Sequence, residues 1–317
     1  MAFSLTTLTT YADQLSAKLI PQLYYKDDVL SYFVHHPGVN VGTFALNYFD
    51  ITPTLMTGEG IGPLVDGGTT TFNQKNITVC NQFTQGFWSP KQLQLYWLGM
   101  EIEGVRNDNL KPVEEILMED LIAKTGEIIT KAVWDNTVLT NLTGTTGTNT
   151  ENAANCFGLY QSISGDTGRT SVDTGTTITV LTILGVVKDM INSLTPELVY
   201  NNKLIMFMSL TDIFLFKQAW FNANNFQYPA INEQGDIIVE SWGPKFVIHP
   251  TFGLTTTNMK DKFFLTTMEN LHEAHTGDKD EEKVAVWFET YLQEIVYRVN
   301  FRLGVTFWRP QYVVTNF

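Results

Sequence analysis

The residues best suited to chemistry are few, and five of them are histidines. His35 and His36 stand side by side before a Pro-Gly pair, and His272 and His275 lie three apart in Asn-Leu-His-Glu-Ala-His. One helical turn could offer the latter two to a metal ion. Their spacing is not that of the zinc-binding helix, however, and no third ligand is adjacent. The histidines read as exposed loop residues. Residues 277–283 carry four carboxylates, but lysines interrupt the run and no calcium-loop spacing follows, so it reads as a solvated charged turn. The Gly-x-Gly-x-Gly at 58–62 does not open a helix, as a phosphate-binding turn must. Asn76-Ile-Thr and Asn141-Leu-Thr fit the glycosylation acceptor, which a threonine-rich chain produces by chance. No Gly-x-Ser-x-Gly elbow and no obvious nucleophile–base pair occurs, although sequence leaves open a triad assembled in space. No catalytic residue, cofactor or metal ligand is assigned, and a non-enzyme is expected.

Composition narrows the classes further. The chain has 317 residues, 44% apolar and 13% aromatic, enough for a sizeable core and about two domains. Its net charge of −13 leaves no basic stripe for reading nucleic acid by sequence. Cys80 and Cys156 are far apart in unlike contexts, neither a disulfide framework nor a zinc pattern, which suits synthesis in a reducing cytoplasm. The N-terminus lacks the basic and apolar regions of a signal peptide, and no apolar run reaches the ~18 residues of a membrane span.

The elements that would position these residues are extended. Residues 1–42 read as an arm, with Tyr11, Leu15 and Leu19 hinting at a short helix that Pro21 ends. Residues 43–88 suggest a long β-hairpin: Phe44, Leu46 and Tyr48 alternate, Phe72 to Phe83 forms a second strand, and the glycine-rich stretch 58–68 makes the tip. Ser89-Pro90 opens a short helix through Trp97. The spacing of Val113, Ile116, Leu117, Leu121, Ile128, Ala132 and Val133 predicts one long amphipathic helix over 112–139, spanning roughly 40 Å. Residues 142–177, rich in Thr, Gly and Asn, read as surface loop or irregular strand at a domain boundary. A helix follows over Val180–Leu194, then a buried strand at Leu204–Met208. Ser209-Leu-Thr-Asp212 resembles a capping box for the next helix. Strands are expected near 236–242, 245–249 and 262–267. Residues 295–307 form the clearest strand, with Ile295, Tyr297, Val299, Phe301, Leu303, Val305 and Phe307 at period two and Arg298 and Arg302 between them. Just before it, Trp287, Phe288, Tyr291 and Leu292 also fit a short helix. Such extended parts gain little burial alone, and symmetric assembly would supply it.

This order of parts resembles the tailed-bacteriophage major capsid protein family, whose fold encapsulin shells share. The stretches that carry the resemblance are residues 72–97, the helix from Pro112, and residues 294–314. The resemblance implies an α+β fold with an N-terminal arm (1–42) and an extended E-loop (43–88). A peripheral domain (89–175, with the spine helix 112–139), an axial domain (176–283) and a return strand (284–317) that ends in the axial domain would follow. It implies a structural role: many copies assembled as hexamers and pentamers into an icosahedral head around DNA, without sequence-specific contact. A portal and a decoration protein are further partners. About 110 residues precede the spine helix, which leaves no room for an internal scaffolding region, so a separate scaffolding protein is expected. The expected inter-subunit contacts are Phe72, Phe83, Phe87 and Trp88, with core packing as the other reading, together with Arg298 and Arg302. Lys75 is the one lysine in the E-loop that could form a cross-link. An encapsulin-type compartment is the alternative, and a glycan-binding or carbohydrate-active protein the alternative of another class.

Overall fold

A computed structural model gives the structure. It describes residues 9, 30–39, 42–53, 68–93, 95, 113–135, 156–172, 175–199, 203–224, 227–232, 236–240, 242, 244–251, 260–276 and 284–317. The arm helix before Pro21, residues 58–67 of the glycine-rich tip and the charged turn at 277–283 lie outside the described residues.

The alternating C-terminal stretch is strand β12 (Glu294–Phe307). Ile295, Val299, Phe301, Leu303, Val305 and Phe307 are buried on one parity, and on the other Val296, Gly304 and Thr306 are buried as well, so the C-terminal end of the strand is covered on both faces. On one side β12 pairs antiparallel with β3 (Gly68–Trp88), and β3 pairs with β2 (Gly42–Pro53). On its other side it pairs in succession with β11 (Val284–Glu289) and β10 (Leu271–His275). β10 in turn holds β1 (Val34–Pro37) in parallel, completing a six-stranded sheet. Gly304 is needed where β12 passes β3: a Cβ there would sit 2.3 Å from the Thr78 carbonyl oxygen.

The second sheet has seven strands. Its order is β4 (Thr170–Ser171), β13 (Val314–Thr315), β9 (Phe264–Thr267), β5 (Leu204–Ser209), β8 (Phe246–Thr251), β7 (Ile237–Val239) and β6 (Ala230–Ile231). β5 is the continuous apolar run of the sequence and is buried throughout, on both faces. Leu204, Met206 and Met208 point into a core closed by helices α3 (Ile183–Asn192) and α5 (Leu210–Ala223). Ser209 caps α5 by accepting from the Asp212 amide, as its capping-box spacing suggests. Between these helices lies the single turn α4 (Pro196–Val199).

Ile205 and Phe207, on the opposite face of β5, point into a core shared with the first sheet. The spine helix α1 (Val113–Trp134) ends there. Trp134 is fully buried, with its ring 4.8 Å from Phe207 and 5.8 Å from Phe264. The helix is thus a strut between two sheets.

Several expectations need correction. α1 has 22 residues, about 33 Å rather than 40 Å. Ile128 faces solvent at 43% exposure, and the inner face is instead Met118, Leu121, Ile122, Ile129, Ala132 and Val133. Within 142–177, read as loop, residues Leu159–Gly165 form helix α2, with Leu159 and Ile163 buried. Arg169 holds its C-terminal end by donating to the Ile163 and Asp166 carbonyls, and reaches the Phe317 carbonyl beside β13. Trp287 and Phe288 lie on strand β11 rather than a helix. Residues 271–275 sit in the first sheet, although they fall within the 176–283 segment expected to form the axial domain. Cys80 and Cys156, read as unrelated, form a disulfide with Cα atoms 6.0 Å apart. Their separation of 76 residues leaves no local trace, and the packing of α2 on β12, together with the pairing of β12 with β3, brings them together. The four histidines at 35, 36, 272 and 275 belong to paired strands, and His272 and His275 are buried. A parallel pairing across more than 230 residues has no local signal either.

Candidate inter-subunit surface

The hairpin of β2 and β3 offers two unlike faces. Its register is continuous from Gly42↔Val79 to Pro53↔Gly68. Phe44, Leu46 and Tyr48 share a face with Lys75, Ile77 and Val79. Most of this face is covered: Leu46, Ile77 and Val79 are buried beside Ala274 and Trp308, while Phe44 keeps 37% exposure. Polar groups fasten it further out. Lys75 Nζ donates to Asp166 at 2.6 Å and lies 4.3 Å from the Phe307 ring centre. Asp50 accepts from Gln311 at 3.1 Å, and Tyr48 meets Trp308 edge-on.

The other face carries Phe49 paired with Phe72, and Ile51 beside them. They are 56%, 81% and 58% exposed. Three large apolar side chains in register on an uncovered strand pair form a patch a soluble monomer does not ordinarily keep.

β3 changes its covered face midway. Ile77 and Val79 are buried toward the hairpin, then Cys80 is buried on the opposite parity, and the positions that follow on that parity are half-buried to Trp88. Phe83 and Phe87 therefore point outward, at 38% and 49% exposure. Trp88 is half-buried against the core of its own chain, its ring 4.5 Å from Tyr297, which also lies over Gly86. Arg298 shares the outward face: its guanidinium rests 4.0 Å above the Phe83 ring and its Nε donates to Asn300. Arg302 is half-buried opposite Asn81.

The structure thus brings Phe83, Phe87, Arg298 and Arg302 to one side of the β3–β12 pair. It places Phe72 apart on the outer hairpin, and Lys75 and Trp88 in contacts within the chain. Sequence reasoning missed Phe49 and Ile51. Their signal was there: β2 is apolar on both parities, which a strand with one solvated face does not need. Among the described residues no helix is long and apolar enough to cross a membrane.

No protein-family model and no curated protein matches the chain. Solved structures do match it. It is similar to a chain of the satellite phage P4 procapsid including size determination (Sid) protein, at 14% identity and TM-score 0.59, over 94% of this chain and 89% of that one. It is similar to a chain of Gordonia phage Cozz at 13% identity and TM-score 0.56, over 94% and 85%. It is also similar to the capsid of the native GTA particle, at 10% identity and TM-score 0.53, over 90% and 87%. At such identities the likeness is one of fold, and the chain therefore has the α+β fold of tailed-phage major capsid proteins.

Proposed function

We propose that this chain is the major capsid protein of a tailed bacteriophage, a structural protein and not an enzyme. Many copies, as hexamers and pentamers, build an icosahedral head around packaged DNA. The observation that carries the reading is the outer face of the hairpin: Phe49, Ile51 and Phe72 lie in register and uncovered on a chain with a capsid fold. A neighbouring copy supplies the missing cover. Burying three such side chains yields about 1.5–3 kcal/mol each, and repetition over the shell makes modest contacts collectively strong. Phe83 and Phe87 are further candidates on the six-stranded sheet.

The net charge of −13 suits an inner wall that must not bind its genome tightly. Scaffolding, portal and decoration proteins are the expected partners, with assembly in the host cytoplasm and a final place in the virion. Electron microscopy and sizing of the purified chain test the reading. Closed shells of capsomers are expected; a monodisperse single-chain species under all assembly conditions would sink it. Nucleic acid inside the particles separates a phage head from a compartment with enzyme cargo.

A further inference from the structure

The outward face of the six-stranded sheet holds an arginine without a counter-ion. In β3, β12 and β11, directly opposed residues stand in rows across the sheet and share a face. One row is Phe87, Val296 and Trp287. The next is Gln85, Arg298 and Ala285, and beyond it Phe83 stands opposite Asn300. The first row is apolar throughout: Val296 is 2% exposed, between the Phe87 and Trp287 rings, which stay 49% and 38% exposed.

The chain carries 33 Asp and Glu against 20 Lys and Arg, so carboxylates are in excess. Arg298 nevertheless pairs with none among the described residues. Its neighbours in the row, Gln85 and Ala285, are neutral. Glu294 and Glu289, on the same face, lie two rows away. That is about 13 Å along the strand, at about 3.3 Å per residue. What Arg298 does have is a platform: its guanidinium rests 4.0 Å from the Phe83 ring centre, and its Nε donates to Asn300 at 2.8 Å. A guanidinium presents five N–H donors in one plane. Stacking and the Asn300 bond fix that plane and use one donor. The donors on the two terminal nitrogens have no acceptor among the described residues. A carboxylate arriving in the plane takes two of them side by side. Because the side chain is already held, little rotamer freedom is lost on contact. Aromatic side chains around an arginine are also what a strong contact is built from, since they keep water off the charge pair.

We propose that Arg298, on its Phe83 platform, receives a carboxylate from a second copy of this chain, with Phe87 and Trp287 as the apolar rim of that contact. The occupant follows from charge. At a net −13, the surface another copy offers is predominantly acidic, which is the complement of an unpaired arginine. The proposal rests on the shell reading and deepens it: it names the chemistry of a contact on a surface separate from the outer hairpin.

Assembly of the purified full chain, with no other protein added, tests this. Arg298→Gln should raise the critical concentration for particle formation, followed by light scattering, about tenfold. Melting of the unassembled chain should stay nearly unchanged. Arg298→Lys keeps the charge but loses the planar fork, and should recover only part of the difference. Added salt should weaken assembly of the parent more than that of the glutamine variant. A reconstruction of parent particles by electron cryo-microscopy reads the partner: a carboxylate of a neighbouring copy is expected about 2.8 Å from the Arg298 guanidinium. Water or a nucleic-acid phosphate in that place, or a glutamine variant that assembles as the parent does, overturns the proposal and leaves the shell reading standing. A parent chain that forms no particles removes the shell reading, and this contact with it. Should Arg298→Gln fail to fold, the reconstruction of the parent decides by itself.

Discussion

The two ends of the molecule are built on different terms. The seven-stranded sheet closes its core with its own helices: β5 is covered on both faces, by α3 and α5 on one side and by Trp134 and its neighbours on the other. The β2–β3 hairpin is covered on one face only and leaves Phe49, Ile51 and Phe72 in water. The first is a domain in the usual sense, stabilised from within. The second is a surface waiting for a partner. Substitutions in the first should therefore change the stability of the single chain, whereas substitutions on the outer hairpin should change assembly and leave the chain's own stability nearly intact.

The largest effect is expected at Trp134. Trp134→Ala removes a fully buried ring between Phe207 and Phe264 and should cost about 4 kcal/mol, read by denaturant unfolding of the unassembled chain. Reduction of the Cys80–Cys156 bond comes next. It frees a loop of 76 residues in the unfolded chain and should lower stability by about 3 kcal/mol, measured as melting with and without reductant. Gly304→Ala drives a methyl group toward the Thr78 carbonyl and should cost about 2 kcal/mol, with loosened exchange of the amides around Thr78 as its local mark. Smallest for the subunit is Phe72→Ser, within about 0.5 kcal/mol of the parent by the same unfolding assay. Particle yield should nevertheless fall. If Phe72→Ser unfolds the chain as Trp134→Ala does, the contrast between the two regions is wrong.

What the sequence disclosed follows the same division. β12 was legible because its apolar side chains recur at every second position from Ile295 to Phe307, even though Val296, Gly304 and Thr306 of the other parity are buried as well. β5 was legible as a short apolar run, and the start of α5 from Ser209 and Asp212. β3 was only half legible: polar residues fill its outer part, and its covered face switches parity at Cys80, so no single period runs its length. The helix at Leu159–Gly165 was hidden in Thr- and Gly-rich surroundings, held in place by the buried Leu159 and Ile163 and by Arg169 rather than by its own propensity. The pairing of β1 with β10, which joins His35 and His36 to His272 and His275, and the disulfide depend on residues brought together from distant parts of the chain. Of the surface candidates, Phe72, Phe83 and Phe87 are exposed, whereas Trp88 and Lys75 turn inward. Residue type alone could not sort them, because an aromatic on a strand packs inward or outward according to parity, and parity changes along β3.

β3 has one more consequence. Twenty-one residues run without a break from Gly68 to Trp88, about 70 Å of backbone at about 3.3 Å per residue. Its inner half is stitched to β12 from Cys80 to Trp88. A beam with no joint cannot flex at one point. A push on its outer end is passed along to the middle of the six-stranded sheet, and whatever grips the hairpin from outside also takes hold of the body behind it.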